Sequence, residues 1–312
     1  MTSIALALVL SANFTRRTVD ESEKRMCGIV GVVGRGPAAA PILDALRRLE
    51  YRGYDSAGTA RLERGLLTRR RAVGKLKNLE SKLTCEPLVG LIGISHTRWA
   101  THGRPIEKNA HPHAVDGVAV VHNGIIENHR ELRNELKQAG VRFATDTDTE
   151  VIAHLVNQQP KKGCEPVDAV RVALPRLEGA FALAFLFEGH ENLIIGARKG
   201  LPLAVGYGRG EMYVGSDAIA LAPPTDMISY LEDGDVAVVT RQGTDFFNAT
   251  SSARKSSVMN TWNFGLSSSA SKAYWFRKTR TCIAKVLMRF SDAYADLALR
   301  IAPWLEEDGA GR

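Results

Sequence analysis

Apolar residues along the chain fall into short runs that predict both strands and helices. The predicted strands are apolar runs bounded by glycine or by polar clusters, and they cover residues 27–33, 90–95, 118–121, 179–187, 192–197, 203–205, 212–214 and 236–240. The predicted helices repeat apolar side chains every three or four positions, and they cover residues 41–49, 128–139, 149–159 and 166–174. Gly53 and Gly58 bracket a predicted turn. Because apolar strands need helices to cover a face, the pattern predicts a layered α+β domain.

The pattern changes at both ends of the chain. Residues 1–26 end in a charged stretch without hydrophobic period, which predicts a disordered leader or a mis-assigned start upstream of Met26. The apolar run at 4–10 has no Lys or Arg before it, so a secretory signal is not expected. Residues 248–312 form a divergent tail that begins as a Ser-rich linker. An apolar stripe over 283–304 then predicts an amphipathic helix that packs on this domain or lies on a membrane surface.

Composition and charge narrow the possible classes of protein. The chain has 312 residues, of which 45% are hydrophobic, and this is enough for a sizeable core. The net charge of +7 is concentrated after residue 249, where 10 Lys and Arg stand against 5 Asp and Glu. Because the rest is nearly neutral, neither a nucleic-acid nor a membrane partner is expected. Four cysteines without a close pair indicate a reduced, cytoplasmic protein, and the oligomeric state stays open.

Cys27 is a candidate nucleophile because it directly follows Met26. If translation starts at Met26 and that methionine is removed, Cys27 becomes the first residue and carries both a thiol and a free α-amine. With reference pKa values of about 8.5 for a thiol and about 8 for an α-amine, the amine can act as base for its own side chain. The alternative is a buried strand cysteine that behaves as a small apolar side chain.

Three further positions suit the attack of a thiol on the amide of an amino acid. Asn123 and Gly124 offer a side-chain amide and a backbone N–H as donors for a developing oxyanion, although Asn-Gly is also a common hairpin turn. Arg98 can bind a carboxylate through two parallel hydrogen bonds, and Asp148 can pair with an ammonium group. Together they can bind both charged ends of an amino acid, while each taken alone can be a solvated surface charge.

Five histidines lie close together in the sequence, at His96, His102, His111, His113 and His122. The Gly and Pro residues between them exclude one continuous helix, and the spacing does not match a metal motif, so no metal and no cofactor are predicted. A Cys–His dyad is an alternative arrangement, in which His102 or His111 acts as base for Cys27.

Five ordered blocks resemble the glutaminase domain of the glucosamine-6-phosphate synthase family, also called glutamine–fructose-6-phosphate aminotransferases (isomerising). They are CGIVG at 27–31, RRLEYRGYDSAG at 47–58, HTRWATHG at 96–103, HNGIIEN at 122–128 and TDTE at 147–150. The resemblance runs to about residue 240 and includes GSD at 215–217 and LEDGD at 231–235. We therefore assign residues 27–247 to a type 2 (class II) glutamine amidotransferase domain.

The resemblance implies a fold, a substrate and a set of site residues. The implied fold is the N-terminal-nucleophile hydrolase αββα sandwich, in which two antiparallel sheets lie between helix layers. The implied nucleophile is Cys27 with its own amine as base, and Asn123 with Gly124 forms the oxyanion hole. L-Glutamine would be hydrolysed to glutamate and ammonia through a γ-glutamyl thioester. The residues implied to bind it or to line or close its pocket are Arg52, Arg98, Trp99, Thr101, His102, His111 and Asp148.

The sequence departs from the family at both ends. While Cys27 stays in an internal peptide bond its nitrogen has no useful basicity, so the uncut chain is expected to be inactive. The tail does not resemble the sugar isomerase domains that follow in the family, which predicts a truncated glutaminase of amino-sugar biosynthesis, as a precursor step to UDP-N-acetylglucosamine. Its ammonia would pass to a separate isomerase domain or protein. The alternatives are an inactive remnant or binding module, and the glutaminase subunit of another class II amidotransferase.

Overall fold

The computed structural model describes most of residues 27–248 and two short strands of the tail. Not described within that range are residues 51, 54, 100–102, 160–162, 223 and 226, and beyond it the description covers only the backbone of 254–255 and 261–263. The predicted leader over 1–26 and the predicted amphipathic helix of the tail therefore lie outside the described residues.

The described strands form two sheets in which neighbouring strands are antiparallel. Sheet 1 has the spatial order β15 (Thr261–Asn263), β11 (Met227–Tyr230), β9 (Ala204–Tyr207), β10 (Met212–Gly215), β1 (Gly28–Val33), β4 (Ile92–Arg98), β2 (Ser56–Glu63), β3 (Leu66–Val73). Sheet 2 has the order β14 (Arg254–Lys255), β13 (Gly243–Asn248), β12 (Asp235–Thr240), β8 (Ile194–Lys199), β7 (Gly179–Phe187), β6 (Val118–Ile126), β5 (His113–Val115).

Helices cover the outer face of each sheet. They are α1 (Ala39–Leu49), α2 (Leu76–Cys85), α3 (His129–Gln138), α4 (Thr149–Asn157), α5 (Pro166–Ala173) and the short α6 (Ala218–Leu221), with 3₁₀ turns at Glu107–Asn109 and Leu174–Arg176. The apolar faces of α1, α2 and α6 pack on sheet 1, and those of α3, α4 and α5 pack on sheet 2. None of the helices in the described part of the chain is long and apolar enough to cross a membrane.

The two sheets bury a core between them. Its side chains come from every second residue of the strands, because successive side chains point to opposite faces of a sheet. On β1, Ile29 and Val33 face the opposite sheet, whereas Val30 and Val32 face the helices. On β6, Val121 joins the core between the sheets and Val120 packs towards α4. The order of layers is therefore helix, sheet, sheet, helix, which confirms the predicted αββα sandwich.

Three local predictions were incomplete or wrong. The turn predicted between Gly53 and Gly58 ends earlier than expected, because β2 begins at Ser56 and Gly58 lies inside it, where a Cβ atom would come within 2.1 Å of the His111 carbonyl oxygen. Residues 56–85 form the β2–β3 hairpin and α2, which the apolar pattern did not predict. Part of the predicted Ser-rich linker is strand, because β14 and β15 pair with the edge backbones of β13 and β11.

Candidate active site

Cys27 directly precedes β1, which is a central strand of sheet 1. Strand β1 is held by β4 on one side and β10 on the other. Ser216 fixes its first residues, because Ile29 N–H donates to Ser216 Oγ over 3.0 Å and Ser216 N–H donates to the Ile29 carbonyl over 3.1 Å. Cys27 is partly exposed at this fixed position. Its sulfur accepts a hydrogen bond from the Trp99 backbone N–H at 3.3 Å.

The surroundings of Cys27 keep its thiol protonated. Burial raises the pKa of the Cys27 thiol to about 11, against the lowering effect of the Trp99 backbone hydrogen bond. The charges of Asp55 and Asp148 raise the pKa of this thiol further, and the charge of Arg98 lowers it. A thiol with such a pKa needs a base at the moment of attack, because little thiolate exists at neutral pH.

Asn123 reaches Cys27 from the other sheet. It lies near the end of β6, and its Nδ2 donates to the Cys27 carbonyl oxygen over 2.9 Å. The following Gly124 has a φ of 120°, and a Cβ atom there would come within 2.1 Å of the Ala180 carbonyl oxygen on β7. Only glycine fits this position without movement of the backbone. The predicted nucleophile and the predicted oxyanion donors therefore meet where the ends of β1 and β6 approach each other.

Arg98 and Asp148 bring opposite charges to the same place. Arg98 ends β4 and is 3% exposed, and its Nη2 donates to the Gly103 carbonyl over 3.0 Å. Asp148 is 4% exposed and directly precedes α4, and its Oδ2 accepts from Ile126 N–H at 3.0 Å. Both charges act on the Cys27 thiol, one lowering its pKa and the other raising it. The arrangement suits a ligand with one anionic and one cationic end.

The loop before Asp148 is held by two charged residues that the sequence analysis did not single out. Glu150 accepts from the backbone N–H groups of Ala144 and Thr145, each over 2.7 Å. Arg133 donates to the carbonyl oxygens of Thr145 and Thr147 over 3.1 and 2.7 Å. Burial alone would raise the pKa of the Glu150 carboxyl, but His154 and the donors of this loop outweigh it and lower the pKa to about 2.

His96 was not among the predicted site residues, because from the sequence it is one of five clustered histidines whose spacing does not match a metal motif. It is fully buried on β4, and its Nε2 lies 3.0 Å from Asn123 Oδ1 and 2.9 Å from the His122 carbonyl oxygen. Burial lowers the pKa of His96 to about 3, so its ring is neutral. Its place as first residue of the HTRWATHG block is the signal that could have drawn attention to it.

Of the other predicted pocket residues, only Trp99 contacts Cys27 through a hydrogen bond in the described part of the chain. His111 is buried, and its Nε2 lies 2.9 Å from Thr149 Oγ1. Burial, together with the neighbouring histidines, also holds the pKa of His111 well below its usual range, which makes it a poor base for Cys27. Arg52 forms an ion pair of 2.5 Å with Asp217. Trp99 lies beside Cys27, whereas Thr101 and His102 lie outside the described residues.

Within the described part of the chain, no three His, Cys, Asp or Glu side chains are arranged to hold a metal ion. The histidines instead contact each other and nearby hydroxyls. The ring centroids of His96 and His111 are 4.2 Å apart, and His122 Nδ1 lies 3.0 Å from the same Thr149 Oγ1 that contacts His111. Asn123, Asp148 and these rings thus form one buried polar cluster, which contacts Cys27 through the Asn123 side chain.

Comparison with known proteins places this site in a family. Residues 96–223 match the model of a glutamine amidotransferase domain. Over 223 residues, or 72% of the chain, it is 66% identical to a glutamine–fructose-6-phosphate aminotransferase (isomerising) of Brucella suis biovar 1 and 64% identical to one of Bradyrhizobium diazoefficiens. The chain spans only 37% of the length of each of these relatives.

Solved structures share the fold. The glutamine phosphoribosylpyrophosphate amidotransferase of B. subtilis superimposes with a TM-score of 0.63 and 26% identity, over 72% of this chain and 50% of that one. A glutamine aminotransferase class-II domain protein of Silicibacter pomeroyi gives a TM-score of 0.51 at 16% identity, over 72% and 100%.

The fold and the match define a class II glutamine amidotransferase domain with the N-terminal-nucleophile hydrolase fold within this chain. Within the family, the matched residues are those of a homologue of the glutamine–fructose-6-phosphate aminotransferases. The family predicted from the sequence blocks is thereby confirmed, while the roles of the individual site residues stay predictions.

Proposed function

We propose that the domain hydrolyses the side-chain amide of L-glutamine through a thioester on Cys27. What supports the proposal most is the hydrogen bond of 2.9 Å from Asn123 Nδ2 to the Cys27 carbonyl oxygen, because it puts an oxyanion donor beside the nucleophile. Cys27 is only partly buried as a residue, and we propose that glutamine reaches its thiol from the exposed side.

Arg98 and Asp148 would bind the α-carboxylate and the α-ammonium group of glutamine. Both side chains are nearly buried, so their charges are poorly screened and gain from a ligand that pairs with each. When the α-carboxylate and the α-ammonium group of glutamine are both held, the direction of its side chain is fixed. We propose that the side-chain amide then points towards Cys27. Trp99, Thr101, His102 and His111 are proposed to line or close the pocket around it.

The reaction needs a base, and the α-amine of Cys27 is the group we assign. The amine takes the thiol proton while the sulfur forms a bond to the side-chain amide carbon, Cδ, and the carbonyl oxygen becomes an oxyanion held by Asn123 Nδ2 and the Gly124 N–H. Collapse breaks the C–N bond, and the leaving nitrogen takes the proton back from the amine and departs as ammonia. Water then attacks the thioester, releases glutamate and restores the thiol.

This role of the amine requires that Cys27 be the first residue of the working protein. An amide nitrogen in a Met26–Cys27 peptide bond cannot accept the thiol proton, and the high pKa of the thiol leaves little thiolate without a base. We propose that a start at Met26 or cleavage of the leader exposes this amine.

The test compares two purified chains, one that begins at Met1 and keeps its leader, and one expressed from Met26 and processed to Cys27. We expect glutamate release, and labelling of Cys27 by a glutamine-analogue electrophile, from the processed chain alone. Cys27→Ala should abolish both, whereas Cys85→Ala, a change at an exposed cysteine, should change neither. Equal activity of the two chains, with the leader verified by intact mass, would overturn the role of the amine. Absence of glutamate release from both would favour the alternative of a remnant or binding module.

For the ammonia, we propose use in glucosamine 6-phosphate synthesis in the cytoplasm, because the curated relatives are named for fructose 6-phosphate. The assay gives the chain glutamine and fructose 6-phosphate, with and without a separately expressed isomerase domain of a relative. We expect glucosamine 6-phosphate only when the isomerase domain is added. Product without it would contradict the need for a separate acceptor domain, and no product with it would favour another class II amidotransferase partner.

A further inference from the structure

We propose that His96 is a positioning residue that fixes the orientation of the Asn123 side-chain amide and so builds the oxyanion hole. The inference rests on the proposed function, in which Asn123 Nδ2 stabilises the oxyanion. His96 does not touch the Cys27 thiol or the predicted clamp of Arg98 and Asp148 through any hydrogen bond in the described part of the chain. Its side-chain hydrogen bonds are instead with the β6 strand, at His122 and Asn123.

Two backbone carbonyls determine which way the amide points. His96 Nε2 lies 2.9 Å from the His122 carbonyl oxygen, which can only accept, so this nitrogen carries the ring proton. The same Nε2–H lies 3.0 Å from the end of the Asn123 side chain, so that end is the acceptor Oδ1. The Nδ2 end must then point the other way, where it meets a second obligate acceptor, the Cys27 carbonyl, at 2.9 Å. The three hydrogen bonds therefore agree on a single orientation of the Asn123 amide.

The ring itself is held so that this orientation does not depend on a mobile side chain. His96 is fully buried on β4, and it lies opposite Ile29 in the antiparallel pairing of β4 with β1. Its ring packs against the His111 ring with centroids 4.2 Å apart. A neutral ring with one nitrogen protonated is thereby presented to β6 at a fixed distance and angle. Without it, the Asn123 amide could turn its oxygen towards the oxyanion and repel it.

The proposal is tested with two matched amide variants in the processed protein. In His96→Gln the side-chain amide can reach the place of Nε2 and donate to Asn123 Oδ1, whereas the shorter side chain of His96→Asn cannot. We expect kcat for glutamine hydrolysis to fall on the order of 10-fold to 100-fold in His96→Asn, with little change in KM, because one oxyanion donor is misdirected. His96→Gln should recover most of the loss.

Ser95→Ala is the control for loss of a buried polar group on the same strand. Ser95 is also fully buried on β4, and its Oγ donates to Thr59 Oγ1 over 2.7 Å, away from Asn123. We expect it to lower the melting temperature while leaving kcat within about twofold. Equal losses of kcat in the Asn and Gln variants, in step with their melting temperatures, would reduce His96 to a structural residue and overturn the proposal.

A second measurement separates the oxyanion hole from substrate binding. The aldehyde analogue of glutamine, glutamate γ-semialdehyde, adds the Cys27 thiol across its C=O bond, forming an S–C bond and moving the thiol proton to the oxygen. Its affinity should fall in His96→Asn by the same factor as kcat/KM, while the affinity for L-glutamate stays unchanged. In an Asn123→Ala background, the His96 variants should have no further effect on kcat. A wild-type protein that neither hydrolyses glutamine nor binds the aldehyde would refute the proposed function instead.

Discussion

At the scale of single residues, Gly124 is the position where the backbone leaves least choice. Its φ of 120° is unfavourable for any residue with a Cβ atom, and that atom would lie 2.1 Å from the Ala180 carbonyl oxygen. A side chain here must push β6 away from β7, and with it the N–H that we assign to the oxyanion hole. The requirement for glycine is therefore both conformational and steric.

We expect Gly124→Ala to lower kcat for glutamine hydrolysis by about 100-fold or more and to destabilise the fold by about 3 kcal/mol. Gly140→Ala is the matched control, because Gly140 also has a positive φ, of 85°, but no atom within 4 Å of the added Cβ. It should cost about 1 kcal/mol of stability and leave kcat unchanged. Steady-state kinetics and thermal unfolding of the two variants check this, and normal kcat in Gly124→Ala would contradict the assignment.

At the scale of elements, the loop that delivers Asp148 depends on Glu150 in the first turn of α4. The carboxylate is 4% exposed and accepts hydrogen bonds from Ala144 and Thr145. Because its folded pKa of about 2 lies below the reference value of 4.5, its contribution to stability is fully present above pH 4.5. That contribution is lost as the pH falls through about 2.

Glu150→Gln keeps the shape of the side chain but removes its charge. We expect it to lower the free energy of unfolding by about 2 kcal/mol at pH 7, a difference that shrinks towards zero near pH 2, and to raise KM for glutamine because Asp148 shifts. Glu131→Gln, at an exposed carboxylate of α3, is the control and should change neither quantity. Urea unfolding between pH 2 and pH 7 measures this. A difference that does not depend on pH would argue against the charge as its cause.

The contrast between β1 and the β2–β3 hairpin explains how much of the fold the sequence could predict. An uninterrupted apolar run is typical of a strand buried on both faces, so β1 was predictable. The hairpin carries arginines whose burial comes from partners distant in sequence. Arg61 is fully buried and donates to the Leu88 carbonyl over 2.6 Å, a contact that no local pattern indicates. The local sequence of strands with such residues therefore resembles that of polar loops.

The site divides in the same way. The residues to which we assign direct chemistry, Cys27, Asn123, Arg98 and Asp148, could be proposed from the sequence because each stands at the end of an apolar run or in a family block. The role of His96 could not, because it depends on a ring proton fixed by a carbonyl of another strand in the other sheet. Tertiary contacts, and not residue type, decide such roles.

At the scale of the whole molecule, the site exists because two sheets are packed together. Cys27 directly precedes β1 of sheet 1 and Asn123 lies in sheet 2, so the distance between the proposed nucleophile and the proposed oxyanion donor depends on the core between the sheets. Val121 lies in this core, two residues before Asn123, and is fully buried. Val170 is equally buried, but it lies between α5 and the outer face of sheet 2.

Val121→Ala and Val170→Ala remove the same two methyl groups from two different cores. We expect each to lower the free energy of unfolding by about 2 kcal/mol, because transfer and cavity terms are similar for the two sites. Only Val121→Ala should lower kcat, by about tenfold, since a displacement of the sheets well under 1 Å already misplaces the oxyanion donor. Unfolding and glutaminase kinetics of the two variants side by side decide the matter. If both lose stability and neither loses kcat, the spacing of the sheets is not what positions Asn123, and the local contacts of His96 alone would carry that function.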